Sequence, residues 1–275
     1  MKFVTDRNFF MKEFLPGLIN WVLATLMFVI SKIFDILVPP FERQFSLKDV
    51  SISYPHEEKE TVNNTWLWLC SLLFPAFIII LLNFPKFKLR EIHRALLGLF
   101  FSTALAYLIT HITKNLVGRL RPDFLDRCNP SSDKPLDEDP FYRLASGTIC
   151  TSTNEKLLRA GRQSFFSGHT STAFSGLGYL SLYISFVFTI WKKPGNVYKT
   201  WLAVIPLLLA LFIGLSRIAN YRHHWEDVLV GMIVGYSCAY FCFKQSLLFD
   251  YKKLSIDEQN LIHDSYAGES SREHI

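Results

Sequence analysis

The amino-acid sequence predicts an all-α membrane protein, a polytopic helical bundle with six transmembrane helices. Half of the 275 residues are hydrophobic and 15% are aromatic, whereas 19% are charged, fewer than the roughly 25% of a typical soluble domain. The charged residues lie between long apolar blocks. These blocks are apolar nearly all round, not along the single stripe that a soluble helical bundle needs. Together these observations indicate a chain that crosses a membrane several times.

Six apolar blocks approach the length that spans the hydrocarbon core, which takes about 20 helical residues and no fewer than about 17. They cover residues 15–38, 66–82, 95–113, 172–190, 201–215 and 228–243. The fifth and sixth blocks are short, so each is expected to extend into the polar motif beside it. In the first block, Lys32 and Asp35 stand one helical turn apart and are expected to pair or to reach the interface. The sequence thus predicts a membrane domain over residues 1–250 and a polar cytoplasmic tail over 251–275.

The loops between the blocks predict the orientation in the membrane. Basic residues cluster after the second and fourth blocks, at Lys86, Lys88, Arg90, Arg94, Lys192, Lys193 and Lys199. By the positive-inside rule both loops are cytoplasmic, and parity then places both termini there as well. Residues 39–65, 114–171 and 216–227 share the opposite, non-cytoplasmic face.

The first of three polar clusters on this predicted face contains Lys114 and Arg121. They are seven residues apart, so both can project from one side of a helix that ends at Pro122. Taken alone, the pair is more typical of a basic cluster at a membrane boundary than of a binding site.

The second cluster is Ser167, Gly168 and His169, immediately before the fourth block. The Ser167 hydroxyl and the Gly168 N–H can donate to an anion at a helix N-terminus, where the helix dipole also favours negative charge. His169 is either a proton donor or an interfacial histidine.

The third cluster, residues 216–227, contains Arg217, His223 and Asp227. His223 and Asp227 are four residues apart and lie on one face if this segment is helical. A carboxylate bonded to one imidazole nitrogen leaves the other nitrogen as a nucleophile. The neighbouring His224 would point about 100° away in a helix, so the spacing to Asp227 selects His223.

Together the clusters predict phosphoryl transfer. Cations and N–H donors can surround a phosphate while one histidine attacks it and another protonates the departing oxygen. Phosphoryl transfer mainly requires positioning and charge stabilisation, which these groups supply without a metal, so we expect no metal and no other cofactor. The five cysteines form no zinc pattern. The net charge of +5 is attributed to membrane topology and phosphate binding, and no nucleic-acid partner is expected.

In order and spacing, K-x6-R-P, S-G-H and S-R-x5-H-x3-D resemble the signature motifs of the type 2 phosphatidic acid phosphatase superfamily, whose relatives include vanadium haloperoxidases. The resemblance implies the helical membrane fold of this superfamily and an enzyme that does not need Mg²⁺. It also implies phosphate binding by Lys114, Arg121, Ser167, Gly168 and Arg217. His169 would protonate the leaving group. His223 would be the nucleophile that becomes a phosphohistidine, and Asp227 would activate His223.

One residue departs from the family pattern, because Phe166 stands where a proline usually precedes Ser-Gly-His. Proline fixes φ before the helix and removes a donor, so a looser loop and an altered substrate preference are expected. More narrowly, residues 40–45, 118–128 and 221–224 resemble the fungal diacylglycerol pyrophosphate phosphatases. This narrower resemblance implies diacylglycerol pyrophosphate, phosphatidate and lysophosphatidate as substrates.

Several alternatives stay open. A polyisoprenyl-pyrophosphate or sphingoid-phosphate phosphatase would use the same catalytic groups, whereas a catalytically silent scaffold of this fold would be expected to lack some of them. An endomembrane location (vacuole, Golgi or ER) with a lumenal active site is expected. Cys128 and Cys150 could pair there if the long loop lies in an oxidising lumen. The sequence does not predict the oligomeric state.

Overall fold

The computed structural model describes residues 15–84, 89–131, 144–190 and 197–248. Within these ranges the chain is helical, with two isolated β-bridges and no strand, so the all-α prediction is confirmed. The eight helices of the described ranges are α1 (Leu15–Leu37), α2 (Asn64–Asn83), α3 (Leu89–Val117), α4 (Phe124–Cys128), α5 (Glu155–Gly161), α6 (Gly168–Val187), α7 (Val197–Ala219) and α8 (Trp225–Phe243). A π-helical turn, Leu69–Leu73, interrupts α2, and another, Lys244–Leu248, continues α8.

Five of these helices, α1, α2, α3, α7 and α8, are long and apolar enough to cross a membrane. Large apolar side chains such as Ile19 on α1 and Ile205 on α7 are exposed, as contact with lipid requires. Both α7 and α8 extend into their polar motifs, as predicted. The predicted span 172–190 falls on α6, which is rich in serine, threonine and glycine and does not meet the same criterion. The count of six spans therefore stays a prediction.

The central helix of the bundle is α6. Fifteen of its 20 residues are buried, and it packs against α3, α7, α8 and the π-helical turn of α2. On the outside of the bundle, α1 packs mainly on α3. Because neighbouring helices enclose α6, its hydroxyl groups meet protein and not lipid, which explains how so polar a helix can lie inside the bundle.

Two glycines allow the backbones of the central helices to approach closely. A Cβ on Gly176 of α6 would collide with the carbonyl oxygen of Ser71 in α2. A Cβ on Gly235 of α8 would collide with the carbonyl oxygen of Ser171 in α6. Small residues at such contacts are typical of helix packing in membranes.

One end of the bundle is covered by a polar cap, comprising residues 38–63, 118–131 and 144–167, which includes α4 and α5. The cap has its own small apolar core, formed by Phe45, Ile52, Leu120, Phe124, Cys128, Ala145 and Ile149. A disulfide joins Cys128 to Cys150, so the structure favours the paired alternative for these cysteines.

Several predictions concern residues outside the described ranges, namely Lys86, Lys88, Lys192, Lys193 and the tail 251–275. In α1, Lys32 lies over the ring of Tyr107, with Nζ 5.7 Å from the ring centroid. Asp35 instead contacts Gln163 and Asn115.

Candidate active site

All three polar clusters meet beneath the cap, where α3 and α7 end and α6 and α8 begin. The Ser167 N–H before α6 donates to the Asp227 carbonyl of α8 over 3.0 Å, and the His223 N–H donates to the Arg217 carbonyl of α7 over 3.3 Å. Lys114 of α3 reaches the first turn of α6, where a Cβ on Gly168 would stand 3.3 Å from its Nζ. The structure therefore brings the predicted residues of the three clusters to one place.

The helix that carries Lys114 ends earlier than predicted. It stops at Val117 because Gly118 adopts a left-handed conformation with φ of 59°, and a Cβ there would collide with the carbonyl of Phe41. Arg121 thus projects from the following turn, where its N–H donates to the Gly161 carbonyl over 2.8 Å. The prediction that both cations project from one helix is wrong.

Ser167 caps the N-terminus of α6. Its Oγ accepts from the N–H and the hydroxyl of Thr170, over 3.4 and 2.9 Å, which leaves its own hydroxyl hydrogen available for a ligand. The N–H groups of Gly168 and His169 lie in the first turn, where no acceptor within the helix is available. This arrangement suits a bound anion.

Phe166, the residue that departs from the family pattern, is buried with 2% exposure. Its ring contacts that of Phe165, with the ring centroids 5.9 Å apart. Ser167 still caps α6, so the start of this helix does not depend on a proline.

His223 is buried, and its tautomer is determined by a backbone group. Its Nδ1 lies 2.7 Å from the Ser164 carbonyl oxygen, and because a carbonyl only accepts, Nδ1 carries the hydrogen and Nε2 has the free lone pair. Burial, together with nearby Arg121 and Lys114, lowers the pKa of His223 to about 3 against the opposing effect of Asp227. The ring is therefore neutral near neutral pH, as a nitrogen nucleophile must be.

The prediction that His223 and Asp227 lie on one face of a helix is wrong, because α8 begins at Trp225 and neither His223 nor His224 is helical. His224 caps α8, with its N–H donating to Asp227 over 3.0 Å. Its Nε2 lies 3.2 Å from the Ser51 carbonyl oxygen in the cap. His223 remains the candidate because it lies close to the predicted phosphate-binding cations Arg121 and Lys114, which lower its pKa.

Asp227 contacts His223 less directly than predicted. Its Oδ2 lies 3.9 Å from His223 Nδ1, beyond hydrogen-bond distance. Instead, this fully buried carboxylate accepts from the Ser164 hydroxyl over 2.6 Å and from Arg119 over 2.8 Å. Asp227 thus holds the segment whose carbonyl orients His223.

Arg217 lies beside a carboxylate that the motifs do not include. Its Nη1 donates to the Val62 carbonyl over 2.9 Å and to Glu60 over 3.1 Å. Glu60 also lies 3.5 Å from Arg222 Nη2 and 3.9 Å from His169 Nε2. A single glutamate therefore contacts three positively charged or titratable side chains of the site.

Four buried nitrogen atoms of this cluster have no hydrogen-bond partner among the residues that the structure describes. They are Nε of Arg121, Arg217 and Arg222, and Nε2 of His169. An unpaired buried polar group costs about 1–3 kcal/mol. Acceptor oxygens on a bound anion would offset this cost, so the cluster is suited to a ligand such as phosphate.

Sequence reasoning assigned no role to Ser164, Glu60, Arg119 or Arg222. Arg119 lies within the first cluster and Arg222 directly precedes His223, so both had a signal in their position. Glu60 lies in an acidic stretch with no motif, and only its tertiary contacts reveal it.

A second polar network lies inside the bundle next to Lys114. Asp35 Oδ1 accepts from Gln163 over 3.1 Å and from Asn115 over 3.4 Å, and Gln163 also donates to Asn115 over 2.6 Å. His111 Nδ1 and Arg159 Nη2 each lie 3.7 Å from the same carboxylate. The network ties α1 to α3 and to the segment that leads into α6.

In the part of the chain that the structure describes, no group of three His, Cys, Asp or Glu side chains is placed to hold a metal ion.

A family model described as the PAP2 superfamily matches residues 95–249, more than half of the chain. Among curated proteins, "Probable diacylglycerol pyrophosphate phosphatase 1" of Schizosaccharomyces pombe is 38% identical, over 78% of this chain and 75% of its own. "Lipid phosphate phosphatase 2" of Arabidopsis thaliana is 35% identical, over 82% and 76%. "Diacylglycerol pyrophosphate phosphatase 1" of Saccharomyces cerevisiae is 36% identical, over 75% and 71%. No solved structure matches the chain significantly.

Proposed function

Because the chain belongs to the PAP2 superfamily, we propose that it is a lipid phosphate phosphatase that needs no Mg²⁺ and works through a phosphohistidine. The observation that carries the proposal is His223, a buried neutral imidazole whose Nδ1 is bonded to the Ser164 carbonyl and whose Nε2 is free to attack. The proposed substrates are diacylglycerol pyrophosphate, phosphatidate and lysophosphatidate. Relatives named for diacylglycerol pyrophosphate and for lipid phosphates support this choice.

In the first step, His223 Nε2 attacks the phosphorus atom of the terminal phosphate. The bond from phosphorus to Nε2 forms as the bond to the leaving oxygen breaks, and that oxygen takes a proton from His169. The proposed ligands of the non-bridging phosphate oxygens are Lys114, Arg121, Arg217, the Ser167 hydroxyl and the Gly168 N–H. Fixed positive charge and N–H donors stabilise the charge on these oxygens in the transition state.

In the second step, water attacks the phosphohistidine, and His169 accepts the proton that the water loses. The bond from phosphorus to Nε2 breaks, inorganic phosphate leaves, and His223 regains its free lone pair. Asp227 takes part through Ser164, whose hydroxyl it binds and whose carbonyl orients His223.

This multi-pass membrane protein is proposed to hold its active site on the lumenal side of an endomembrane, in the vacuole, Golgi or ER, with cytoplasmic termini. Support comes from the disulfide between Cys128 and Cys150, which belongs to the cap over the site. Such bonds persist in oxidising compartments and are rare in the cytosol. The lipid headgroup would then be processed at the lumenal leaflet.

His223→Ala tests the nucleophile. The purified variant should lose phosphate release by about 1,000-fold or more, because no other group replaces the attacking nitrogen. Single-turnover reactions with ³²P-labelled diacylglycerol pyrophosphate should give an acid-labile, alkali-stable phosphoprotein in the wild type and none in the variant. Thermal unfolding in detergent serves as the control for folding. Unimpaired release by a folded variant would contradict the proposal.

A panel of substrates, assayed with the wild type in excess EDTA, tests both the substrate assignment and the independence from Mg²⁺. Diacylglycerol pyrophosphate and phosphatidate should be hydrolysed faster than sphingoid phosphates and polyprenyl pyrophosphates. Loss of turnover in EDTA would contradict the mechanism, and a preference for either of the last two classes would contradict the substrate assignment.

A further inference from the structure

Glu60 places a carboxylate inside the cation cluster, and neither step of the proposed reaction uses it. Its Oε2 lies 3.1 Å from Arg217 Nη1 and 3.9 Å from His169 Nε2, while its Oε1 lies 3.5 Å from Arg222 Nη2. The side chain is 26% exposed, so it lines the site and is not sealed inside the protein.

The segment that carries Glu60 is held against the site on both sides. The Glu57 carbonyl accepts from Arg222 over 2.5 Å, and the Val62 carbonyl accepts from Arg217 over 2.9 Å. Between them, the Thr61 N–H donates to Asn220 over 3.1 Å. These bonds on both sides of Glu60 give its carboxylate a defined position.

His169 has a task that its surroundings oppose. It must carry a proton in order to protonate the leaving oxygen, yet it is largely buried and lies in a cluster with Arg217 and Lys114. Burial and nearby positive charge both disfavour an imidazolium ion. Of the carboxylates in the described ranges, only Glu60 has an oxygen within 4.0 Å of a His169 ring nitrogen.

We propose that Glu60 is a positioning residue for proton transfer, whose negative charge beside Nε2 favours the protonated form of His169. The inference rests on the proposed phosphohistidine chemistry. As the bond from phosphorus to His223 forms, the proton on His169 Nε2 moves to the leaving oxygen, and His169 becomes neutral. The Glu60 side chain also favours the return of a proton to His169 from water in the second step.

The test uses two substrates that differ in their need for a proton donor. Phosphatidate releases an alcohol, whose oxygen must be protonated as it departs. Diacylglycerol pyrophosphate releases phosphatidate, whose phosphate oxygens are far weaker bases, so its departure depends much less on the proton from His169. A defect in proton supply therefore separates the two substrates, whereas a general defect in structure slows both alike.

Glu60→Gln keeps the shape of the side chain and removes its charge. Single-turnover release of the leaving group should fall by about 100-fold with phosphatidate and by no more than about threefold with diacylglycerol pyrophosphate, within the range of general acid catalysis. Glu60→Asp, which keeps the charge, should recover part of the loss with phosphatidate. The matched control is Glu58→Gln, an exposed residue of the same segment, which should leave both rates unchanged.

A double-mutant cycle with His169→Gln gives a second measurement. If Glu60 acts through His169, adding Glu60→Gln to His169→Gln should cause little further loss with phosphatidate. Equal loss on both substrates, no loss on either, or additive effects in the cycle would each overturn the role of Glu60. All three outcomes leave the His223 assignment intact, because that assignment depends on the phosphoprotein and on His223→Ala.

Discussion

At the scale of single residues, hydrogen-bond partners that only accept determine where protons lie. The Ser164 carbonyl fixes the tautomer of His223, and Asp227 holds Ser164 through its hydroxyl. In this arrangement the carboxylate acts on the ring through an intervening residue. Mutation of Ser164 to alanine would therefore test orientation separately from charge.

The lowered pKa of His223 makes folding stability depend on pH. The ring has an ordinary pKa of 6.5 in the unfolded chain and one lowered to about 3 by burial in the folded protein. Between these values the unfolded chain binds a proton that the folded protein does not, so stability falls as the pH falls below 6.5. At pH 5 the loss from this residue is about 2 kcal/mol.

His223→Asn removes this contribution. The melting temperature of the variant, relative to the wild type, should rise as the pH is lowered from 7.5 to 5. Thermal unfolding of both proteins in the same detergent measures the difference. A difference that does not change with pH would contradict the lowered pKa of His223.

Sequence spacing identified residues that the structure brings together, but it did not give their local geometry. The end of α3 depends on the close approach of Gly118 to the carbonyl of Phe41, and the start of α8 depends on the hydrogen bond that the Asp227 side chain accepts from the His224 N–H. The first is a contact between distant parts of the chain, and the second is a bond at a helix N-terminus. Spacing rules for a continuous helix include neither. Glu60 was not predicted from the sequence for the same reason, since its proposed role depends on tertiary contacts.

At the scale of helices, apolar length predicted the outer elements better than the central one. The outer helices, such as α1 (Leu15–Leu37), expose apolar side chains and are apolar along their length. The central helix α6 is enclosed by protein, so burial does not require its residues to be apolar. A helix must be apolar where it contacts lipid. Hydropathy therefore predicts α6 least well, because protein and not lipid surrounds this helix.

Close packing of α6 and α8 predicts that substitution by alanine destabilises the protein to different degrees at two glycines of their interface. On Gly235 a Cβ meets the Ser171 backbone carbonyl, which cannot move without separating the helices. On Gly178 a Cβ meets the Tyr236 ring at 3.0 Å, which can rotate away. Gly235→Ala should therefore destabilise the protein by about 2 kcal/mol, and Gly178→Ala by clearly less.

Thermal unfolding in detergent compares the two variants. Because Ser167 caps α6 and α8 carries Asp227, Gly235→Ala should also lower phosphate release, whereas Gly178→Ala should retain it. Equal stability of the two variants would show that the helices adjust to a methyl group at either position.

At the scale of the whole molecule, the cap and the bundle have different requirements. The bundle needs lipid around its exposed apolar faces. The cap has a small core of its own and a disulfide across a sequence separation of 22 residues. The orientation of the bundle, predicted from loop charges that lie largely outside the described residues, is consistent with an oxidising compartment on the cap side.

The disulfide can be counted chemically. Under denaturing, non-reducing conditions, three of the five cysteines, Cys70, Cys238 and Cys242, should react with a thiol reagent, and all five should react after reduction. Reduction should lower the stability of the native protein by about 3 kcal/mol, as expected for a closed loop of this size. Five reactive cysteines without reduction would contradict the disulfide and would remove its support for a lumenal site.

The enclosed position of α6 has a consequence for how the protein is made. During synthesis this helix emerges before α7 and α8, which later cover it. Its serine and threonine hydroxyls would then face lipid or the insertion machinery until those partners arrive. We expect nascent chains that end before α8 to be retained by insertion factors and chaperones. Ser167 and His169 precede Asp227 in the chain, so the enzyme should gain activity only when α8 is in place.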